Sequence, residues 1–232
     1  MSVQKQDHPS IKVCIAGISG TGKSTLLEKL IRREHAKWIF VYDHKDGDQA
    51  RRFGVTPCKT IEEMEAAVIR GGLLIFDYRF FRDGDGNRPF AGKREDGFEF
   101  FIEWVESIVR IMRGKKILFA DELQALVNEN SKPDKLVSMM DELRTFQLDF
   151  YFCTSAMNVI HNGVRKQFTE IWAFKQGDKA STVSLEEKGF DRDELMNLKY
   201  GEWLYKNGNT GKSERGGKAF VPKNSDRDLR GL

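Results

Sequence analysis

Short apolar runs alternate with amphipathic stretches along most of this chain. Runs of four to seven residues, rich in β-branched and aromatic side chains, predict buried strands at 11–16, 37–43, 73–76, 116–121, 150–154 and 171–175. Between them, apolar residues recur at helical spacing at 25–33, 60–70, 98–113, 133–146 and 159–168. Strands that alternate with helices indicate an α/β fold, with a mostly parallel sheet and helices on both faces.

The connection after the first predicted strand is rich in glycine. Residues 17–25 read GISGTGKST and match the phosphate-loop pattern G-x-x-x-x-G-K-[ST] in full, between a strand and a helix. Glycines let backbone N–H groups wrap around phosphate oxygens, and the N-terminus of the following helix adds partial positive charge. Lys23 can reach the β- and γ-phosphates, and Ser24 can hold Mg²⁺. The predicted ATP-binding residues are Gly17, Ser19, Gly20, Thr21, Gly22, Lys23, Ser24 and Thr25.

Two acidic residues follow the strand predicted at 116–121. Ligands of such sheets bind at the carboxyl ends of the strands, so Asp121 and Glu122 are expected beside the phosphate loop. Asp121 suits a holder of Mg²⁺, and Glu122 suits a general base that polarises the attacking water. A carboxylate aimed at water indicates hydrolysis of the nucleotide. Acids are also favoured at any helix N-terminus, which is the alternative explanation for the pair.

The strand predicted at 150–154 also ends in polar residues. If it lies beside the Asp121 strand, then Thr154, Ser155 or Asn158 faces the γ-phosphate and senses the state of the nucleotide. A cap on the next helix, supplied by Ser155 or Asn158, explains the same residues equally well.

Composition narrows the class of protein only modestly. The 232 residues are 40% hydrophobic, which suffices for one sizeable core, and the net charge is only +3. The three scattered cysteines indicate reduced thiols in the core, and the four histidines show no metal-ligand spacing. There is no signal segment and no apolar run of about 20 residues, so we expect a soluble protein without a membrane span.

The chain divides into three predicted parts. Residues 1–10 are polar and expected to be flexible, residues 11–206 form the ATPase domain, and residues 207–232 hold a hairpin arm and a basic tail. The arms of the late hairpin are predicted at 203–206 and 218–221, around Asn207-Gly208-Asn209.

These motifs together resemble the FtsK–HerA superfamily of DNA-pumping ATPases, which have a P-loop fold of the RecA/ASCE-like class. The resemblance covers roughly residues 11–206, and its size and layout are most like the genome-packaging ATPases of icosahedral double-stranded DNA viruses with an internal membrane. One departure is that Ser155 stands where the superfamily's sensor strand has glutamine. The segments that carry the resemblance are the phosphate loop, Asp121-Glu122, Thr154, residues 41–45 (VYDHK), residues 143–150 (LRTFQLDF), Arg165 with Phe174, and Gly201-Glu202-Trp203 after Leu198.

The resemblance implies a homo-oligomeric ring, a pentamer or hexamer, with each nucleotide at a subunit boundary. A neighbouring subunit then supplies a positive charge to the γ-phosphate. Arg144 is the first choice for this arginine and Arg165 is the second. The implied catalytic residues are thus Glu122, Lys23, Arg144, Thr154 and Ser155, with Ser24 and Asp121 on the metal.

The resemblance also implies partners and a location. Double-stranded DNA passes through the ring and is gripped through its phosphates without regard to sequence. Basic residues of the loop at 79–94 and of the last 27 residues, which carry seven basic and three acidic side chains, are the candidates for DNA contact. A capsid or membrane vertex protein is the candidate docking partner, in the host cytoplasm or the virion. A solubilising tail without DNA contact is the alternative for the C-terminal end.

Other activities fit parts of the pattern. An assembly or secretion ATPase of the zonula-occludens-toxin type resembles the same domain but usually carries a membrane segment. A small-molecule P-loop kinase has no use for Glu122. A nucleotide-gated interaction protein that binds ATP without hydrolysis is disfavoured by the same residue. A GTPase is disfavoured because no N/T-K-x-D segment is present.

Overall fold

A single sheet organises the protein. A computed structural model describes residues 10–45 and 47–217, apart from the side chains of Leu143 and Arg144. The strands are β1 (Lys12–Ala16), β2 (Trp38–Tyr42), β3 (Gly72–Phe76), β4 (Lys116–Ala120), β5 (Leu148–Thr154), β6 (Glu170–Phe174), β7 (Trp203–Asn207) and β8 (Ser213–Gly216). They form one eight-stranded sheet in the order β3-β2-β4-β5-β1-β6-β7-β8.

The strand pairing confirms the predicted fold class. Every neighbouring pair from β3 to β6 is parallel, and only β6–β7 and β7–β8 are antiparallel. The strand β5 lies between β1 and β4, with Ala16 opposite Thr154 and Ala120 opposite Phe152. The carboxyl ends of these three strands therefore meet at one edge of the sheet, where the predicted site residues follow them.

Helices cover both faces of this sheet. The α-helices are α1 (Lys23–Arg33), α2 (Asp48–Phe53), α3 (Ile61–Arg70), α4 (Arg94–Val109), α5 (Asp134–Glu142), α6 (Asn162–Gln167), α7 (Lys179–Glu186) and α8 (Arg192–Asn197), and short 3₁₀ turns lie at Leu123–Ala125, Leu143–Phe146 and Met157–Val159. Within the described ranges, no helix has both the length and the apolar character needed to cross a bilayer.

Alternating side chains of the strands build two apolar layers. Cys14 and Ala16 pack with residues of α3, α4, α5, α7 and α8, whereas Val13 and Ile15 pack with residues of α1 and α2. Burial on both faces explains why β1, β4 and β5 appear in the sequence as continuous apolar runs. All three cysteines are buried, as expected of core thiols.

Helix α4 differs from its predicted range of 98–113. It begins at Arg94 because Glu95 and Asp96 occupy its first turn, where acidic side chains are favoured, and it ends at Val109. Gly97 lies inside the helix, where a Cβ atom would be 2.6 Å from the Cβ atom of Tyr78. The glycine is thus a packing residue and not part of the preceding loop.

Two other predicted helices are shorter than expected. The helix predicted at 133–146 ends at Glu142 and continues as a 3₁₀ turn. The helix predicted at 159–168 is confined to α6, because the ring nitrogen Nδ1 of His161 accepts a hydrogen bond from the Gly163 N–H group at 3.2 Å and caps it there. Helices α2, α7 and α8 were not predicted, since each spans only six to eight residues.

The late hairpin closes earlier than predicted. Its second arm is Ser213–Gly216, and the predicted arm at 218–221 lies outside the described residues, as do residues 1–9 and the rest of the tail. A tight turn sets this register, because the Asn207 N–H group donates to Lys212 O at 2.9 Å and the Gly211 N–H group donates to Asn207 O at 2.9 Å. The boundary between the ATPase domain and the C-terminal part was predicted at residue 207. Because β7 pairs with β6, this position lies inside the sheet.

Candidate active site

The loop between β1 and α1 is anchored to both neighbouring strands. The Gly17 N–H group donates to Thr154 O and the Ile18 N–H group donates to Lys175 O, each at 3.1 Å. Gly17 has φ +154°, and a Cβ atom there would be 2.6 Å from the Cβ atom of Phe174. Only glycine fits this close approach, so the first glycine of the motif is required by packing.

The middle of the loop is closed on itself. The side chain of Thr21 and the ammonium of Lys23 both donate to Ile18 O, at 2.8 and 3.0 Å. Lys23 is only 9% exposed, and burial lowers its pKa. Because the ammonium of Lys23 is largely shielded from water, its attraction to a bound anion would be only weakly screened.

The end of the loop leads directly into α1. Gly22 adopts the left-handed conformation with φ +104°, and within the described part of the chain it makes no side-chain cap to the helix. The N–H groups of the first turn are therefore available to an anion. Thr21 is buried, Ser24 is half-buried at the start of the helix, and Ser19, Gly20 and Thr25 are exposed around it. These residues line the loop that the motif predicts to be a phosphate cradle.

The two predicted acids lie at the end of β4, one strand away from β5. Asp121 is 5% exposed and accepts hydrogen bonds from the Glu122 N–H group at 2.9 Å and from the amide of Gln49 at 3.5 Å. Glu122 has φ +45°, a left-handed conformation that is uncommon for a residue with a side chain. Its side chain is 37% exposed. The Asp121 carboxylate is thus buried and fixed, whereas the Glu122 side chain is partly exposed.

Two residues after β2 complete this acidic centre. The ammonium of Lys45 forms an ion pair with Oε1 of Glu122 and lies 3.7 Å from Oδ2 of Asp121. Nε2 of His44 lies 4.0 Å from Oε2 of Glu122, and it is buried without a hydrogen-bond partner among the described residues. Burial lowers the pKa of His44, which favours the neutral ring.

A glutamine connects the Glu122 loop to the end of β5. The Thr154 hydroxyl donates to Oε1 of Gln124 at 2.8 Å, and the Gln124 amide donates to the Ser155 hydroxyl at 2.7 Å. The Ser155 N–H group also donates to Oε1 of Gln124, at 3.3 Å. The structure therefore brings two of the three predicted sensor residues, Thr154 and Ser155, into contact with the loop that carries Glu122. Gln124 makes these contacts from the 3₁₀ turn that follows β4.

The remaining predicted residues lie farther from this centre. The Asn158 carbonyl accepts a hydrogen bond from the Arg165 guanidinium at 3.0 Å, so Arg165 is engaged within the chain. The backbone of Arg144 lies in the 3₁₀ turn before β5. The seven residues of β5 separate that turn from Thr154, a length of roughly 20 Å. Arg144 is thus far from the phosphate loop of its own chain.

Sequence reasoning missed Lys45 and Gln124 as site residues. Gln124 has no motif of its own, since its role depends on the pairing of β4 with β5. A signal for Lys45 was present: it follows a buried strand whose last residue, Tyr42, pairs with Ala120 directly before Asp121. Polar residues after two adjacent parallel strands converge on one edge.

Comparison with known proteins places this geometry in a known fold. No family model and no curated protein matches the chain. Among solved structures, the genome packaging NTPase B204 of Sulfolobus turreted icosahedral virus 2, in complex with ATP-gammaS, superposes with a TM-score of 0.69 at 14% identity, over 92% of this chain and 100% of that one. The DNA-packaging ATPase B204 of Sulfolobus turreted icosahedral virus gives 0.60 at 17% identity, over 90% and 98%. This chain has the fold of these packaging NTPases.

A third structure shares the same architecture. VirB4 of Thermoanaerobacter pseudethanolicus gives a TM-score of 0.61 at 12% identity, over 91% of this chain and 90% of that one. The α/β fold of the P-loop class that the motifs and the resemblance predict is therefore confirmed.

Proposed function

We propose that this protein is an ATP-hydrolysing motor that translocates double-stranded DNA, in the packaging of a viral genome into a preformed capsid. One observation carries the proposal. The strand β5 joins the phosphate loop on one side, through the Gly17–Thr154 hydrogen bond, to the Glu122 loop on the other, through Gln124. A phosphate cradle and a partly exposed carboxylate linked across one strand are the parts of a site that hydrolyses a nucleotide.

The phosphate loop would hold ATP through its N–H groups and Lys23. The glycine geometry and the uncapped start of α1 fit a chain of phosphates. Ser24 and Asp121 would hold Mg²⁺, since a hydroxyl and a carboxylate are oxygen ligands of the kind that this ion prefers. The ion would supply charge neutralisation at the phosphates.

Glu122 would orient the attacking water and accept its proton. Its exposed carboxylate, next to the buried and fixed Asp121, suits that task. Thr154 and Ser155 would report the state of the γ-phosphate, because Gln124 ties both of them to the loop that carries Glu122. A shift of the carboxyl end of β4 or of β5 would therefore move Glu122.

The second part of the proposal is a ring with shared sites. Arg144 lies too far from its own phosphate loop to reach it, so we assign it to the site of the neighbouring subunit, where it would offset charge on the γ-phosphate. The solved neighbours of this fold include two viral packaging NTPases, which supports a role in moving DNA.

DNA would contact basic loops. Arg82, Arg88 and Lys93 are exposed in the segment between β3 and α4, and Arg94 is exposed at the start of α4. Arg79 differs, because its guanidinium pairs with the buried Asp77. The basic tail beyond residue 217 would add phosphate contacts, and a capsid or membrane vertex protein would dock the motor in the infected cell or the virion. Contacts to phosphates suit a motor that must move any sequence.

The test is ATP turnover by the purified protein with and without double-stranded DNA. We expect hydrolysis without any small-molecule acceptor, stimulated severalfold by DNA of any sequence, with stimulation that decreases as salt is raised. Lys23→Ala should abolish ATP binding and turnover, and Lys132→Ala, in an exposed loop, should change neither. Transfer of phosphate to a metabolite would indicate a kinase, and ATP binding without turnover would indicate a nucleotide-gated interaction protein.

A further inference from the structure

We infer that Lys45 is a γ-phosphate sensor, which holds Glu122 in the nucleotide-free protein and exchanges that carboxylate for the terminal phosphate of bound ATP. The inference rests on the proposed function and adds a residue and a switch to it. The starting observation is a cation that faces both acids of the site, through its ion pair with Glu122 and its 3.7 Å distance from Asp121.

The segment that presents Lys45 is rigidly built. The carboxylate of Asp43 is fully buried and accepts three backbone hydrogen bonds, from the N–H groups of Lys45 at 3.1 Å, Gln49 at 2.9 Å and Ala50 at 3.1 Å. The ring of His44 stacks on Tyr42 with centroids 6.2 Å apart. The backbone of Lys45 is therefore fixed toward β4 by buried contacts, whereas its side chain is free to exchange partners.

The ion pair is suited to exchange. The side chains of Lys45 and Glu122 are 35% and 37% exposed, and pairs of this kind contribute little to stability. A lysine ammonium is a cation over the whole physiological range, so Lys45 can pair with whichever neighbouring anion offers the most negative charge.

The other lysine of the site is Lys23 of the phosphate loop, whose ammonium donates to Ile18 O at 3.0 Å. A terminal phosphate bound by that loop and by Lys45 would offer Lys45 more negative charge than Glu122 does. Glu122 would then be released to face water at the moment when a triphosphate is present. A diphosphate lacks the group that competes for Lys45.

The experiment compares affinities for a non-hydrolysable ATP analogue and for ADP, both with Mg²⁺, by calorimetry. We expect Lys45→Met to weaken analogue binding about tenfold and to leave ADP binding unchanged, because a charge-assisted contact is lost only with the triphosphate. Lys45→Arg should retain most of the preference for the ATP analogue over ADP. Lys132→Met is the matched control, and thermal unfolding checks that each variant is folded.

Two outcomes would overturn the inference. Equal weakening of both ligands would make Lys45 a general phosphate contact or a structural residue, and unchanged affinity for both ligands would exclude any contact with the γ-phosphate. These results differ from failure of the proposed function. In that case the unmodified protein would bind ATP without hydrolysing it, would transfer phosphate to a metabolite, or would bind neither nucleotide, whatever residue stands at position 45.

Discussion

At the scale of single residues, the central assignment is Glu122 as the base. Glu122→Gln keeps the size and polarity of the side chain but removes the group that accepts a proton. We expect ATP to bind with unchanged affinity and turnover to decrease by about 100-fold or more. Glu129→Gln, an exposed glutamate a few residues away, is the control and should retain full activity. Comparable activity in Glu122→Gln would place the base elsewhere.

Lys116 gives a prediction about stability and pH. It is fully buried at the start of β4 and donates to the carbonyls of Met112 and Gly114 at 3.1 and 2.6 Å. Burial, with a smaller effect of Lys37, lowers its pKa to about 8. In the unfolded chain the group keeps its proton up to about pH 10.4. Between these values the unfolded state binds more protons, so Lys116 favours folding increasingly as pH rises.

Lys116→Met removes the titrating ammonium group but keeps an unbranched apolar side chain at the buried position. We expect the free energy of unfolding of the unmodified protein, relative to the variant, to increase from about pH 7 to about pH 10, by as much as about 1.4 kcal/mol for each unit of pKa difference. Urea denaturation at several pH values measures this. Parallel pH profiles for the two proteins would show that Lys116 titrates at its ordinary pKa.

At the scale of elements, the docking of α4 depends on Gly97. A methyl group there would lie 2.6 Å from the Cβ atom of Tyr78 and 3.1 Å from the hydroxyl of Tyr42, whose O–H group donates to Arg94 O. Gly97→Ala should therefore destabilise the fold by about 1–3 kcal/mol despite the higher helix propensity of alanine. Gly84→Ala, with no atom within 4 Å, is the control. A gain in stability for Gly97→Ala would show that α4 shifts at little cost.

The elements also show what sequence patterns reveal and what they do not. The six parallel strands were predictable because burial on both faces produces continuous apolar runs, as in the segment before Asp121. The phosphate loop was predictable because its chemistry lies within nine consecutive residues. Gln124 and Lys45 were not, since they join Thr154 and Glu122 only after β2, β4 and β5 pair. Contacts between segments that are distant in sequence leave no periodic pattern of apolar residues along the chain.

At the scale of the whole molecule, the proposed ring makes each active site depend on two chains. Arg144→Ala should abolish turnover and leave ATP binding unchanged, because the missing charge belongs to the neighbour's site. Mixing it with Lys23→Ala chains should restore part of the activity, since some boundaries then combine an intact phosphate loop with an intact Arg144. Arg113→Ala, in an exposed position after α4, serves as the control. Failure of the mixture to recover activity would argue against action between subunits.

Movement along DNA tests the central claim most directly. A triplex-forming oligonucleotide bound to double-stranded DNA is displaced when a motor runs into it. We predict ATP-dependent displacement by the unmodified protein on DNA of any flanking sequence, and none with Glu122→Gln or without ATP. Displacement that is absent while DNA still stimulates ATP hydrolysis, or that proceeds equally without ATP, would contradict the account of this protein as a DNA-translocating motor.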